Sequence, residues 1–189
     1  MTALPVTDPL IPIQDVIPDA ILDIRYATAD NLTGRALYPF PAALLRRSAA
    51  TRLAKAADAL RAKGLRLVIY DAYRPLSVQK ALWAAKPDPA WVADPATGSS
   101  HNRGGAVDLA LADASGKPLP MPSKFDEFGP RARHGAAGVP PAARGRAETL
   151  KAALVAAGFT PYDAEWWHYR DPAAKAWPLL DISFEEATR

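Results

Sequence analysis

Proline restricts what this chain can fold into more than any other residue type, since 19 of its 189 residues are proline. Proline lacks a backbone N–H and fixes its own φ, so it is confined to turns, edge strands and the first turn of helices. The prolines recur through residues 1–41, 86–98, 129–144 and 171–189. We therefore expect turns and irregular chain there, with a proline-rich N-terminal segment over residues 1–20 and a C-terminal tail over residues 171–189.

Hydrophobic spacing predicts helices and strands between these segments. Apolar residues recur with a helical period from residue 42 to residue 63, and Gly64 follows as a stop. The same criteria predict helices at residues 74–85 and 146–157, strands at residues 21–26, 65–70 and 106–111, and a short strand after Trp167. A long surface loop is expected at residues 129–144. Because no repeat or linker divides the chain, we expect one α+β domain over residues 1–189.

Composition excludes several classes of protein. The chain has no cysteine, so disulfides, thiolate metal sites and cysteine nucleophiles are ruled out, and any metal must be held by histidine and carboxylate. The net charge of +3 comes from 23 basic and 20 acidic residues without a basic run, which argues against nucleic-acid binding. Residues 1–5 lack the character of a secretion signal, and no stretch approaches the ~20 apolar residues of a membrane span. We expect a soluble cytoplasmic protein that binds neither nucleic acid nor membrane.

The segment from residue 99 to residue 108 contains two residues that zinc accepts as ligands. A glycine turn separates His101 from Asp108 and lets the chain fold back. On the predicted strand Asp108 shares a face with Ala106 and Ala110, whose small side chains leave room for a metal. The residue types alone are equally compatible with a surface histidine in a glycine-rich loop followed by an aspartate on a strand.

A second segment, from Glu165 to Tyr169, contains a further carboxylate and a further histidine. Glu165 and His168 are three residues apart, so a regular strand would direct them to opposite faces, and only a turn or bulge at Trp166 would bring both to one site. A metal-bound water needs a carboxylate base beside it, which would be Glu165, and His168 would be the third protein ligand. A structural role for His168 stays open, and the tryptophans are expected in the core and the cavity wall.

A third segment ends the predicted strand at residues 65–70 and enters a helix at Arg74-Pro75. A guanidinium held there by packing could stabilise a carbonyl oxygen whose negative charge grows during nucleophilic attack. An arginine at a strand end is also commonly a surface or salt-bridge residue, so this segment alone does not distinguish the two roles.

Together these segments resemble a known family. The pattern Ser-x-His-x-x-Gly-x-Ala-x-Asp at residues 99–108, followed by Glu-x-x-His at residues 165–168, resembles the VanX-type D-alanyl-D-alanine dipeptidases, zinc D,D-dipeptidases of peptidase family M15. Further matches occur in the same order along the chain. They lie at residues 26–31, 33–34, 73–75, 125–126 and 158–159. The resemblance spans residues 26–169.

The resemblance implies a fold, a reaction and a set of functional residues. The fold would be a single α+β domain with a central mixed or antiparallel sheet flanked by helices, shared with other D,D-peptidases and the hedgehog signalling domain. The activity would be hydrolysis of D-alanyl-D-alanine to two D-alanines by Glu-assisted attack of zinc-bound water. The implied roles are one zinc held by His101, Asp108 and His168, general acid/base catalysis by Glu165, stabilisation of the tetrahedral intermediate by Arg74, and binding of the substrate ammonium group by Asp126 with Tyr26 and Ser99 nearby.

Some positions depart from the family pattern, and two other functions stay open. The loop at residues 86–98 is shorter than in the resistance-type enzymes, Arg133 stands where relatives carry the first histidine of a His-His pair, and residues 135–146 match poorly. These changes affect substrate preference and the cavity rim. A D,D-carboxypeptidase acting on longer cell-wall peptides is one alternative. A zinc-stabilised binding module without catalysis is the other, although it would be expected to lack the base that Glu165 provides.

Overall fold

The computed structural model describes residues 8–188, so Pro5 and the start of the predicted N-terminal segment lie outside it. Seven strands and four helices occur within these residues. The strands are β1 (Leu10–Pro12), β2 (Ile21–Leu22), β3 (Leu44–Arg46), β4 (Leu65–Asp71), β5 (Ala106–Asp113), β6 (Thr160–Tyr162) and β7 (Glu165–Arg170). The helices are α1 (Arg47–Arg61), α2 (Leu76–Ala85), α3 (Pro141–Ala156) and α4 (Phe184–Ala187).

A five-stranded mixed sheet forms the centre of the fold, with strand order β2-β4-β5-β7-β6. Strand β2 runs parallel to β4, and the other neighbouring pairs are antiparallel. Strands β1 and β3 form a separate antiparallel pair. Helices α1 and α3 pack against each other and against the central sheet. The expectation of an α+β fold with a mixed central sheet flanked by helices is therefore confirmed.

The middle strand, β5, is buried along almost its whole length, with Asp113 at its end the only partly exposed member. Val107, Leu109 and Leu111 are fully buried and alternate along the strand, so they share one face. Asp108 lies on the opposite face, as the alternation predicts. Because large apolar residues anchor one face in the core, the other face can carry polar groups without loss of the strand.

Two predicted elements near the N-terminus are wrong in extent. The strand predicted at residues 21–26 is limited to β2, and Arg25–Ala27 form a 3₁₀ turn that contains Tyr26. The helix predicted from residue 42 begins only at Arg47, because Leu44–Arg46 pair as β3 with Leu10–Pro12. Leu44 and Leu45 are buried, so long-range pairing overrides the local helical spacing.

The loop predicted at residues 129–144 is shorter than expected. Helix α3 begins at Pro141, where the missing N–H of proline costs no hydrogen bond, and a 3₁₀ turn forms at Pro130–Ala132. Strand β6 was not predicted. The strands predicted at residues 65–70 and 106–111 and the helix at 74–85 are confirmed within one or two residues of their ends.

None of the helices in residues 8–188 has both the length and the apolar character needed to cross a membrane.

Adjacent residues on α3 provide a matched test of core packing. Leu154 is fully buried, whereas Val155 is 48% exposed. We expect Leu154→Ala to lower the free energy of unfolding by roughly 2–5 kcal/mol, because the cavity left in the core cannot fully collapse. Val155→Ala should change it by less than about 0.5 kcal/mol. Urea denaturation followed by circular dichroism measures both, and equal losses would show that α3 does not pack through this face.

Candidate metal centre and active site

All eight site residues predicted from the sequence line one cavity of about 530 Å³. They come from five separate segments of the chain, so the fold brings together what the sequence keeps far apart. The residues are Tyr26, Arg74, Ser99, His101, Asp108, Asp126, Glu165 and His168. A cavity of this size is in the ordinary range for small-molecule sites.

Strand pairing places two of the predicted ligands next to each other. Asp108 on β5 and His168 on β7 are direct cross-strand partners, and the Nδ1 atom of His168 lies 2.9 Å from the Oδ1 atom of Asp108. His101 enters from the preceding 3₁₀ turn, His101–Arg103, which ends at Gly104 with φ +69°. That left-handed conformation suits glycine and returns the chain to β5. The structure thus joins the two sequence motifs into one cluster.

The three donor atoms lie close enough together to bind one metal ion. The Nε2 atom of His101 lies 3.1 Å from Nδ1 of His168 and 3.4 Å from Oδ1 of Asp108. Zinc–ligand distances of ~2.0–2.2 Å give tetrahedron edges of about 3.3–3.6 Å, close to these spacings. The Nδ1 atom of His101 lies 2.6 Å from the backbone oxygen of Ala72. A proton on Nδ1 donated to that oxygen leaves the Nε2 lone pair directed at the cluster. The residues therefore fit a divalent metal, and zinc among them.

Asp108 is held in the charge state that a metal ligand needs. Burial alone would raise the pKa of Asp108, but the imidazoles of His101 and His168 outweigh it and bring the pKa below its ordinary value. An ionised carboxylate and two imidazoles form a donor set without thiolate, as the absence of cysteine demands.

An irregularity in β7 brings Glu165 to the same cavity as His168. Thr160 pairs with Arg170 and Pro161 with Tyr169, but Tyr162 then pairs with Glu165. Residues 166–168 are therefore extra on the β7 side of the ladder, and this break in register supplies the turn or bulge that the sequence required. Burial raises the pKa of Glu165 to about 7, Asp108 and Asp126 add to the rise, and His168 opposes it. A carboxyl that titrates near neutrality can both accept and return a proton.

The adjacent tryptophans lie on different sides of this strand. Trp166 and Trp167 are both buried, and their rings meet edge to face at 5.4 Å. Trp167 lines the cavity, whereas the indole N–H of Trp166 donates to Ser123 on the other side. The expected roles in the core and the cavity wall are confirmed.

Arg74 lies at the cavity and is also part of a buried ion pair, so its salt-bridge role is confirmed, and stabilisation of a carbonyl oxygen stays a prediction. Its Nε and Nη2 atoms donate to Oδ2 of Asp71 at 3.0 and 2.7 Å, and Nη1 donates to Gln79 at 2.8 Å. The hydroxyl of Tyr38 donates to the other oxygen of Asp71 at 2.6 Å. Sequence reasoning missed these three supporting residues. The available signal was the carboxylate of Asp71 at the end of an apolar strand, three residues before an arginine.

Asp126 has the most unusual backbone of the site. With φ +57° it has the only positive φ of a non-glycine residue within residues 8–188. Strain of this kind is characteristic of functional positions. The hydroxyl of Tyr26 donates to Oδ2 of Asp126 at 3.0 Å. Burial raises the pKa of Asp126 to about 7, and the charge of Asp108 adds to the rise.

Ser99 supports the turn that carries His101. Its Oγ atom accepts from the backbone N–H of His101 at 3.1 Å, and its own N–H donates to Asn102 at 2.8 Å. Ser99 also lines the cavity, so a contact with the ligand is compatible with this role.

The positions that depart from the family pattern do not touch the metal cluster. Arg133 and His134 line a second cavity of about 360 Å³, together with Trp166. Burial lowers the pKa of His134 to about 4, with Lys151 adding to the fall. Arg133 therefore lies behind β7, away from the first cavity, whereas the shortened loop at residues 86–98 does line the first cavity.

The chain is similar to several known proteins. The sequence model of a family described as D-ala-D-ala dipeptidase matches residues 7–186. A D-alanyl-D-alanine dipeptidase of Escherichia coli (strain K12) is 43% identical over 178 residues, covering 94% of this chain and 92% of that protein. A D-alanyl-D-alanine dipeptidase of Enterococcus faecium is 29% identical, covering 83% and 88%. The structure of VanYB in complex with D-Alanine-D-Alanine superposes with a TM-score of 0.44 at 21% identity, covering 71% of this chain and 75% of that one.

The chain contains only three histidines, which makes a metal-binding test unusually well controlled. We expect zinc to raise the melting temperature of the metal-free protein, because a ligand at a hundred times its Kd stabilises the folded state by about 2.7 kcal/mol. His168→Ala should abolish the zinc-dependent rise, whereas His134→Ala should keep it, since His134 faces the second cavity. Thermal unfolding with and without zinc measures the rise. Its survival in His168→Ala would place the metal elsewhere.

Proposed function

The chain belongs to the D-Ala-D-Ala dipeptidase family of M15 peptidases, and on that premise we propose that it is a zinc-dependent D,D-dipeptidase that hydrolyses D-alanyl-D-alanine to two D-alanines. The observation that carries the proposal is the shared cavity. A cluster fit to hold zinc, a carboxyl group with a pKa near 7 and a buried carboxyl group suited to an ammonium ion all open into it. In that order, these three groups would activate the water, transfer its proton and bind the substrate.

His101, Asp108 and His168 would hold the metal. Zinc bound there would act as a Lewis acid toward the scissile carbonyl and the attacking water. Glu165 takes a proton from the water as its oxygen bonds to the carbonyl carbon, and returns that proton to the departing amine as the C–N bond breaks. The raised pKa of Glu165, caused mainly by its burial, supports this role, because both transfers occur at a group that is neither strongly acidic nor strongly basic.

Arg74 would stabilise the negative charge that develops on the carbonyl oxygen. Asp71 and Gln79 hold its guanidinium at the cavity, so little reorganisation is needed when the charge appears. The ring of Tyr26 packs against the guanidinium at 5.0 Å and limits its movement further.

Asp126 would bind the free ammonium group of the substrate. Burial among other acids destabilises the ionised form of a carboxyl group, and a cation that binds beside it stabilises that form. Tyr26 orients the carboxyl group through its hydroxyl. One zinc ion per chain and a cytoplasmic location stay predictions.

The role of Asp126 separates a dipeptidase from a D,D-carboxypeptidase acting on acylated peptides. Removing one partner of a buried ion pair typically costs 3–5 kcal/mol, so N-acetyl-D-Ala-D-Ala should be hydrolysed at least on the order of a hundredfold more slowly than D-Ala-D-Ala. Release of D-alanine from the two peptides, with and without a chelator, measures the ratio. Equal rates would exclude the dipeptidase, and hydrolysis that survives the chelator would exclude the metal.

Glu165 can be separated from the ligands by comparing activity with metal content. We expect Glu165→Gln to retain zinc and to lose roughly a hundredfold to ten-thousandfold in kcat, because general acid/base catalysis contributes about that much. Glu185→Gln, which changes an exposed glutamate on α4, serves as the control and should behave like the wild type. If Glu165→Gln loses its zinc as well, Glu165 is a ligand and the roles must be reassigned.

A further inference from the structure

Four cationic side chains line the catalytic cavity, and two of them are already held by other groups of the protein. The four are Arg74, Arg103, Arg170 and Lys175. Arg74 pairs with Asp71, and Arg103 donates to the backbone oxygens of Trp177 and Thr97. Every ion pair found in the described part of the chain involves residues other than Arg170 and Lys175. These two cations are therefore available to a ligand.

Their position relative to the metal cluster follows from strand geometry. Arg170 lies two residues after His168 on β7, so both side chains leave the same face, ~6.6 Å apart along the strand. The cross-strand partner of Arg170 is Ala106, whose methyl group leaves the space beside the cluster open. Lys175 lies on the 3₁₀ turn Pro172–Ala176 that follows β7, and Ala174 of this turn packs closely on Gly105, the residue before β5.

The acidic groups of the cavity belong to a different part of it. After burial, the principal charges that shift the pKa values of Asp126 and Glu165 come from the metal cluster, Arg74 and their own neighbouring carboxylates. Phe125, beside Asp126, packs on Tyr70 of β4 and on Trp167 of β7, three residues before Arg170. Asp126 and Glu165 thus lie on the side of His168 that carries Trp167, and Arg170 and Lys175 follow His168 on the other side.

This polarity matches a zwitterion whose two charges flank the scissile bond. We propose that Arg170 and Lys175 form a subsite for the α-carboxylate at the C-terminus of the substrate, opposite the ammonium position at Asp126. A charged anchor on each side of the metal cluster determines which peptide bond of the substrate lies at the cluster. Arg170 and Lys175 would offset the repulsion between that carboxylate and the acidic residues Asp108, Asp126 and Glu165 of the same cavity. The inference rests on the proposed function, but a D,D-carboxypeptidase substrate carries the same terminal carboxylate.

The test compares D-Ala-D-Ala with its C-terminal amide, D-Ala-D-alaninamide, which has the same scissile bond without the charge. Zinc-loaded wild type should prefer the acid by roughly tenfold to hundredfold in kcat/KM, the effect typical of hydrogen bonds to charged groups. The double variant R170Q/K175Q should lose that factor on the acid alone, mainly through KM, because the contact is already made in the bound substrate. The acid-to-amide ratio should then approach one. The single variant Arg170→Lys, which keeps a positive charge at this position, should retain part of the acid-to-amide ratio.

Arg35→Gln is the matched control, since Arg35 is exposed and does not line the cavity. It should keep the wild-type ratio, and zinc content and melting temperature should be equal in all variants. An equal loss on acid and amide, or an unchanged ratio in R170Q/K175Q, would overturn the subsite. Wild type that hydrolyses both peptides equally would overturn the subsite alone. Wild type that hydrolyses neither would overturn the proposed function, and the subsite with it.

Discussion

The ladder formed by β4, β5 and β7 is the interaction on which the rest of the site depends. Asp108 pairs with His168 on one side and lies opposite Asp71 on the other, so three functional side chains start from one row across the sheet. Backbone hydrogen bonds and the buried face of β5 fix that row. A slip of one residue would turn the side chains to the other face, so the register of the sheet itself specifies the metal centre.

This row creates an electrostatic problem that the surrounding residues solve. Carboxylates buried beside each other repel, and each needs a partner. Arg74 and Tyr38 donate to Asp71, while the imidazoles of His101 and His168 surround Asp108. Asp126 and Glu165 lack a comparable cation, and both have pKa values near 7 as a result of burial. The site therefore keeps Asp108, the carboxylate that would hold a metal, in its ionised form. It leaves two others ready to take up a proton or an ammonium ion.

The elements that sequence reasoning predicted well are those in which one local signal dominates. The strand containing Asp108 and the helix after Pro75 are marked by apolar runs, glycine and proline, and they are found almost where expected. The elements predicted poorly depend on distant partners. Residues 44–46 have helical spacing but pair with residues 10–12, and the start of α3 lies within a segment whose glycine and proline content suggested a loop. Pairing energy between distant segments does not appear in a local pattern.

The amino-acid sequence by itself determined the chemistry of the site: which imidazoles and carboxylates are available, that no thiolate competes with them, and which segments carry them. Only the tertiary structure decided how they meet. The break in register between β6 and β7 brings Glu165 to the side of His168, and the burial of Asp71 fixes Arg74 at the cavity. The residue types of a site are local properties of the chain, whereas distances, burial and pKa values arise from segments that become neighbours only on folding.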